Sequence, residues 1–230
     1  MINPHVRNTR LAGRADVLSY DCRGHGGSDR GGTDYTTELF AADLAGLLDR
    51  IGWDRAVVAG CSMGGCVAQD FAASNPHRTD GLVLVDTTAW YGPTAPLDWA
   101  GRAAKAREQG LAALVDFQVT RWFGAEFAAG EPELVAALTK TFLANDLDSY
   151  AATCRMLGAA DLRERVAAVR VPAAVVVGED DAATPVPMAE DLAERLGGAP
   201  LTVLPESRHL TPLERPTEIA AVIQELVANV

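Results

Sequence analysis

The sequence predicts an α/β fold in which a mostly parallel, doubly wound sheet carries a helical insertion. Short apolar runs alternate with amphipathic stretches of helical length, both in the first third of the chain and near its end. Because these apolar runs are continuous, they are typical of parallel strands buried on both faces. The intervening residues 90–168 contain Ala-rich helical stretches and no convincing strand. The pattern therefore predicts a core at 1–89 and 169–230 with a helical cap at 90–168.

The N-terminal part of the core contains three predicted strands. These are ADVLSY at 15–20, the run at 55–59, and GLVLVDTT at 81–88. Between the first two strands, residues 36–52 place leucines, Phe40 and an isoleucine on one side of an amphipathic helix. A second helix follows the strand at 55–59, so strand and helix alternate as in βα units.

The C-terminal part of the core repeats this alternation. AAVVVG at 173–178 predicts a strand, PMAEDLAERLGG at 187–198 a helix, and LTVL at 201–204 a last strand. The chain closes with the apolar-periodic stretch TEIAAVIQELVANV, which predicts a final helix.

The stretch GCSMG at residues 60–64 lies between a β-branched run and a helical pattern. It matches G-x-S-x-G, in which the flanking glycines let a strand and a helix approach so closely that the serine hydroxyl is exposed at a strained corner. A simple glycine-rich turn is the alternative reading. The order strand, tight turn, helix favours Ser62 as a nucleophile.

A serine nucleophile needs a base, and the base needs an acid that orients it. GEDDAATP follows the strand at 173–178 and offers Asp180 and Asp181, whereas RHLTP follows the last strand and offers His209. Both segments lie at the carboxyl ends of parallel strands, which meet at one edge of a sheet. The chain order Ser62, acid, His209 is that of a serine hydrolase triad.

The bulk composition narrows the function classes. The 230 residues have a formal net charge of −11 and a sequence pI of about 4.8, so nucleic acid and anionic membranes are poor partners. Four cysteines form no C-x-x-C pair and have no histidine at metal-ligand spacing, which favours reduced thiols in a cytoplasmic protein without metal or organic cofactor. There is no apolar run of membrane-spanning length and no signal-peptide region at the N-terminus.

Four stretches resemble the α/β-hydrolase fold family, and the resemblance covers nearly all of residues 11–230. They are VLSYDCRGHGGSD, VVAGCSMGGCVAQDFAASNPHRTDGLVLVDTTA, PAAVVVGEDDAATP and RHLTPLERP. More narrowly, RWF, SYAATCRMLGAADLRE and GEDDAATP resemble the 3-oxoadipate enol-lactonases. The resemblance implies a lactone hydrolase of aromatic catabolism, the β-ketoadipate pathway.

The resemblance also implies roles for single residues. It makes Ser62 the nucleophile, His209 the base and Asp181 the acid, because Asp181 is the fourth residue of the family's G-x-x-D pattern. The backbone N–H of Met63 is expected to be one oxyanion donor.

The implied substrate carries a carboxylate, so a cation is expected in the cap. Arg121 and Arg155 lie in the cap phrases that carry the resemblance, and Trp122 is expected to line the pocket. Arg102 and Arg107 are weaker candidates. Each arginine has the alternative of an exposed helix face, and Trp122 that of a buried structural residue.

The N-terminus departs from the family pattern. Three strands are expected before residues 15–20, but MINPHVRNTRLAG is polar, contains proline and is not expected to form a buried strand. The chain is therefore expected to be N-terminally shortened, or else a degenerate member whose flanking strands pair directly. The second oxyanion donor normally follows the third of those strands and is expected to be absent.

Three functions remain compatible with the sequence. One is the lactonase, and the second is another hydrolase of the same fold, such as a carboxylesterase, a C–C bond hydrolase or a cofactor-free perhydrolase. The third is a catalytically weak binding protein on the same scaffold. The cap is expected to decide between the first two, because fold does not fix substrate.

Overall fold

A four-stranded parallel sheet is the main β structure of the protein, seen in a computed structural model that describes residues 15–230. The strands lie side by side in chain order: β1 Ala56–Cys61, β2 Thr79–Val85, β3 Ala173–Gly178 and β4 Leu201–Leu204. Every neighbouring pair is parallel. The predicted α/β class with a parallel sheet is confirmed.

The register brings the carboxyl ends of the strands to one edge. Cys61 pairs with Val85 at the end of the β1–β2 ladder, and Gly178 pairs with Leu204 at the end of the β3–β4 ladder. The residues that follow these strand ends are therefore neighbours in space, which is the usual place for a site in an open α/β sheet.

The strand predicted at residues 15–20 is wrong. None of these residues is assigned to a strand and none is buried; Val17 is 39% exposed. A strand requires neighbouring strands to satisfy its backbone N–H and C=O groups, and a short apolar run does not encode that partner. The polar segment at 1–13, on which the expectation of a shortened N-terminus rests, lies outside the described residues.

Eleven α-helices occur within residues 15–230. In chain order they are α1 Thr37–Ile51, α2 Met63–Ser74, α3 Ala95–Gln109, α4 Val115–Trp122, α5 Ala125–Gly130, α6 Pro132–Leu143, α7 Leu147–Ala159, α8 Arg163–Ala168, α9 Val186–Arg195, α10 Thr211–Glu214 and α11 Pro216–Ala228. Short 3₁₀ turns at Pro76–Arg78 and Leu111–Leu114 join some of them. No helix in this described part has the length and apolar character needed to cross a bilayer.

The chain divides into two compact units. One, here called the sheet unit, comprises Thr37–Trp90 and Ala160–Val230. The other, the helical unit, comprises Tyr91–Ala159 with the described residues before Thr37.

The sheet unit buries both faces of its sheet. On one face, Ile219 and Leu226 of α11 join a core cluster with Val83, Val85 and Val176. The intervening strand residues point to the opposite face because side chains alternate along a strand, and Leu82, Leu84 and Val175 there are at most 1% exposed. Helices α2 and α9 contact the strands as well. The continuous apolar runs of the sequence are thus explained by burial on both faces.

The helical unit has its own apolar clusters. Ala103 of α3 packs with Ala151 and Cys154 of α7. A second cluster contains Leu114 and Phe142 with the partly buried Trp122 packed against it. Small side chains on α3 and α7 allow these two helices to lie in close contact.

Candidate active site

Ser62 occupies the tight corner between β1 and α2. Its backbone has φ 52° and ψ −118°, a conformation that costs a non-glycine residue energy and that surrounding bonds must hold. The Ser62 N–H donates to the Val85 carbonyl at 2.9 Å, and its own carbonyl accepts from the Gly65 N–H at 2.9 Å and the Thr87 hydroxyl at 2.7 Å. These bonds to β2 and its end hold the serine at the sheet edge.

Two glycines make this corner possible because no side chain fits at their positions. A Cβ on Gly60 would overlap the carbonyl group of Gly64. A Cβ on Gly65 would lie 2.5 Å from side-chain atoms of Thr87. The close approach of strand and helix expected from the G-x-S-x-G pattern is therefore present in the structure.

Three side chains predicted from the sequence lie in one hydrogen-bonded line. The Nε2 atom of His209 is 2.8 Å from Oγ of Ser62, and its Nδ1 atom is 2.8 Å from Oδ2 of Asp181. Because an ionised carboxylate only accepts hydrogen bonds, Nδ1 carries the hydrogen and Nε2 is left to accept the Ser62 proton. This arrangement has the geometry that a serine nucleophile and its base require.

Asp181 is buried and fully engaged. It is 3% exposed, and its Oδ1 accepts the N–H groups of Ala183 at 2.7 Å and Thr184 at 3.0 Å. Its Oδ2 accepts the Thr184 hydroxyl at 2.8 Å in addition to His209. Burial opposes ionisation, but the His209 contact and the Thr184 hydrogen bonds outweigh it and hold the pKa of Asp181 below its usual range.

The two acid candidates of the sequence have different environments. Asp180 is exposed, whereas Asp181 points inward to His209. The turn explains the difference: the Asp180 N–H donates to the Ser207 carbonyl at 3.0 Å, and the Asp181 N–H donates to the Gly178 carbonyl at 3.1 Å. Of the two adjacent carboxylates, the turn thus presents only Asp181 to the imidazole.

Met63 is the first residue of α2. The N–H groups of a helix's first turn have no partner within the helix and carry the positive end of its dipole. Met63 directly follows Ser62, so its N–H lies at the end of a helix where negative charge is stabilised.

A further buried carboxyl, Asp86, was missed by the sequence reasoning. The predicted strand at 81–88 ran through it, but β2 ends at Val85 and Asp86 begins the next turn with φ 46°. It is fully buried, at 0% exposure. The sequence does contain a signal for Asp86, because this aspartate directly follows a buried apolar run. Such a position lies at the same sheet edge as the residues after β1, β3 and β4.

The Cys61 thiol beside Ser62 stays protonated. Burial, with the negative charges of Asp86 and Asp181, raises the pKa of Cys61 well above its usual value. None of the four cysteines, all of which lie in the described part of the chain, forms a disulfide. Among residues 15–230, no three or more His, Cys, Asp or Glu side chains are grouped as a metal site would need.

The predicted substrate-binding residues all lie in the helical unit. The Arg121 guanidinium lies 5.1 Å from the ring centre of Phe117. Exposed Arg155 donates to the Thr33 carbonyl at 3.2 Å. Trp122 makes edge-to-face contacts with Phe123 and Phe142, so it has a packing role whether or not it also contacts a ligand.

The two weaker arginine candidates differ in their surroundings. Arg102 is half-buried, with its guanidinium 4.6 Å from the ring centre of Trp99 and 5.0 Å from that of Phe117. Arg107 forms an exposed ion pair with Asp148 at 2.9 Å. An arginine held by aromatic faces keeps its charge available for a further anion, whereas an ion-paired one is already neutralised.

A parallel sheet with a serine at a strained strand–helix corner, hydrogen-bonded to a histidine and a buried aspartate, defines the hydrolase class of α/β proteins. Comparison with known protein families agrees. The model of the alpha/beta hydrolase family matches residues 4–222, and the chain belongs to that family.

Several relatives of this chain are enol-lactonases or esterases. The 3-oxoadipate enol-lactonase 2 of Acinetobacter baylyi is 33% identical over 135 residues, 59% of this chain and 50% of that protein. The chain thus spans about half the length of this relative. The crystal structure of the enol-lactonase from Burkholderia xenovorans LB400 is 34% identical with a TM-score of 0.87, covering 92% of this chain and 80% of that one. A thermophilic esterase from Thermogutta terrifontis is 29% identical with a TM-score of 0.88, covering 95% and 82%.

Proposed function

We propose that the protein is a serine hydrolase that opens a lactone ester, with 3-oxoadipate enol-lactone of aromatic catabolism as its substrate. The observation that carries the reaction type is the hydrogen-bonded line from Ser62 through His209 to Asp181, with 2.8 Å at each contact of the imidazole. The substrate rests on similarity to two enol-lactonases at 33% and 34% identity.

The first half of the reaction forms an acyl-enzyme. Nε2 of His209 accepts the Ser62 proton as Oγ attacks the lactone carbonyl, and Asp181 stabilises the imidazolium that results. The Met63 N–H stabilises the negative charge on the carbonyl oxygen, a contribution of roughly 3–4 kcal/mol for one such donor. Collapse of the intermediate breaks the ring C–O bond, and His209 returns the proton to the leaving enol oxygen.

The second half releases the product. Water, deprotonated by His209, attacks the acyl carbon, and Ser62 leaves with the proton that the imidazolium returns to it. The enol formed in the first half becomes a ketone, which favours ring opening over its reversal. The net reaction consumes one water and yields a free carboxylate, so no electron acceptor or other reactant is needed.

The group that binds the substrate carboxylate stays a prediction. Arg121 and Arg155 are the guanidinium groups expected from the sequence, and Trp122 the expected apolar wall. Arg102 joins them because two aromatic faces hold its charge. Replacing each arginine by glutamine tests the assignment: loss of a carboxylate contact raises KM for the enol-lactone but leaves KM for an uncharged lactone unchanged.

Hydrolysis of 3-oxoadipate enol-lactone, followed by loss of ultraviolet absorbance, tests the proposed function. We expect turnover by the chain and a fall of at least about 10⁴-fold in kcat for Ser62→Ala. Ser74→Ala is the matched control, because Ser74 lies at the other, exposed end of the same helix. Undiminished lactone turnover by Ser62→Ala would exclude this mechanism.

A carboxylesterase is the second candidate, favoured by the similarity to the thermophilic esterase. The same three side chains would serve either substrate, since both reactions pass through an acyl-serine. The two candidates differ in the ratio of kcat/KM for the enol-lactone to that for a simple aryl ester. A chain that cleaves only the aryl ester, with loss of that activity in Ser62→Ala, is an esterase.

A further inference from the structure

Asp86 lies where the segments that carry the three aligned side chains meet. Its Oδ1 accepts the Gly178 N–H at 3.1 Å, and Gly178 begins the turn that carries Asp181. Its Oδ2 accepts both the N–H of Thr211, at 2.9 Å, and the Thr211 hydroxyl, at 2.7 Å. Thr211 is two residues after His209 in the chain.

The remaining contacts of Asp86 complete this connection. Its own N–H donates to the Val176 carbonyl of β3 at 2.9 Å. Oδ2 is 4.0 Å from Sγ of Cys61, the residue before Ser62, and the same sulfur is 3.9 Å from the His209 carbonyl. One buried carboxyl thus contacts the segments of Ser62, Asp181 and His209 at the same time.

We propose that Asp86 is a positioning residue for the hydrolase reaction, whose ionised carboxylate holds the His209 and Asp181 loops in the arrangement that Ser62 requires. This inference rests on the proposed function, because it assigns a role in that reaction. Among the described residues, no hydrogen bond joins Asp86 to Ser62 or to the imidazole ring, so Asp86 acts through the backbone of the two loops. It is distinct from Asp181, which bonds the imidazole directly.

The donors around Asp86 explain why its ionised form is the competent one. The N–H groups of Gly178 and Thr211 can only donate, so a carboxylate satisfies both. A proton on Oδ2 leaves the Thr211 N–H facing a hydroxyl oxygen, which is a weaker acceptor than a carboxylate. Protonation therefore loosens the segment that ends at His209.

The ionisation of Asp86 lies in the neutral range. Burial raises its pKa to about 7; the Thr211 hydrogen bonds and a positive charge on His209 lower it, and the charge of Asp181 raises it. The titratable groups that face it are Cys61 from β1, Asp181 from the loop after β3, and His209 from the loop after β4. Of these, the Cys61 thiol stays neutral near pH 7. Gain of this proton by Asp86 is therefore expected to diminish activity as the pH falls below about 7.

The rate at which a fluorophosphonate probe labels Ser62, measured from pH 5 to pH 9, tests this role without depending on the lactone. In the unaltered chain we expect the labelling rate to fall through an inflection near pH 7, where Asp86 gains its proton. In Asp86→Asn we expect the rate at pH 8 to fall on the order of 10–100-fold through misplacement of His209, and the inflection near pH 7 to be absent. Asp80→Asn is the matched control with an unchanged profile, because Asp80 lies near the other end of β2, the strand that Asp86 follows, and is paired with Arg55.

Thr211→Val provides a second variant that keeps Asp86 itself. Removing the Thr211 hydroxyl takes away a bond that favours ionised Asp86, so the inflection near pH 7 moves to higher pH. The melting temperature of each variant, measured at pH 8, separates this effect from unfolding. If Asp86→Asn fails to fold, the displaced inflection in Thr211→Val supports the proposal by itself.

The outcomes distinguish this inference from the proposed function. If the pH profile of labelling is unchanged in both Asp86→Asn and Thr211→Val, with a normal rate at pH 8, the role of Asp86 is overturned. The proposed hydrolase function would be unaffected. A folded chain that neither reacts with the probe nor cleaves lactones and aryl esters would overturn the hydrolase, and the positioning role with it.

Discussion

Asp86 and Asp181 follow neighbouring strands of the same sheet, and both carboxyl groups are buried, at 0% and 3% exposure. Each accepts backbone N–H groups and a threonine hydroxyl. Only Asp181 also contacts an imidazole. Burial prevails at Asp86 and raises its pKa to about 7, whereas the His209 contact helps to lower the pKa of Asp181.

The difference shows that one contact, that of Asp181 with His209, is enough to give two similar buried carboxyl groups different pKa values. A carboxylate bonded to His209 stays ionised and can stabilise an imidazolium throughout the reaction. A carboxylate bonded only to neutral donors is left near its titration point. The same sheet edge therefore contains a fixed negative charge at Asp181 and a titrating one at Asp86.

The largest effect is expected from Asp181→Asn. The amide keeps the size of the side chain but can present an N–H to Nδ1, which favours the wrong imidazole tautomer, and kcat falls by about 10⁴-fold. Hydrolysis of an aryl ester measures the loss. Asp180→Asn is the control, since Asp180 is exposed beside it; if Asp180→Asn were the inactive variant, the assignment of the acid would be reversed.

Asp86→Ala is expected to lower the free energy of unfolding by about 2–6 kcal/mol. It leaves the buried N–H groups of Gly178 and Thr211 without an acceptor, at about 1–3 kcal/mol for each. Urea unfolding at pH 8 measures the change. Asp80→Ala, which breaks only a partly exposed ion pair with Arg55, should cost at most about 1 kcal/mol; equal losses in the two variants would contradict the role of Asp86.

The pH dependence of stability is expected to separate the two carboxyls. Because the pKa of Asp86 is raised in the folded protein, folded Asp86 keeps a proton that the unfolded chain releases. The contribution of this proton to the free energy of unfolding is complete at low pH. It falls as the pH rises towards 7, by at most about 1.4 kcal/mol per pH unit. Asp181 acts in the opposite direction, since its lowered pKa gives stability that is lost in acid.

Urea unfolding of the unaltered chain and of Asp86→Asn at pH 5, 6 and 7 isolates this contribution. The difference between the two free energies of unfolding should shift in favour of Asp86→Asn as the pH rises. A constant difference across this range would mean that Asp86 is already ionised at pH 5.

The smallest effect is expected from Thr184→Val. The variant removes one of four hydrogen bonds to Asp181, at 2.8 Å, and should lower the free energy of unfolding by about 1.5–3 kcal/mol. The remaining N–H bonds and His209 keep Asp181 ionised, so kcat at pH 8 should change by less than about tenfold. A loss as large as that of Asp181→Asn would show that the hydroxyl, and not His209, orients the carboxylate.

Much of the fold was determined by local sequence pattern. The ranges 173–178 and 201–204 were predicted as strands with the bounds that β3 and β4 have. Ser62 and His209 could be found because each follows an apolar run, and parallel strands bring their carboxyl ends to one edge. In such cases the information lies within a few residues of the element, so periodicity and turn residues suffice.

Only the tertiary structure decided the rest. Residues 15–20 have a strand's apolar character and form none, because a strand depends on neighbours that lie elsewhere in the chain. Asp180 and Asp181 are adjacent in one acidic turn, and the backbone of that turn determines which of them contacts His209. Asp86 gains its contacts from Gly178 and Thr211, which are 92 and 125 residues away. Hydrogen bonds between distant segments form only when the sheet brings them together, and no local pattern records them.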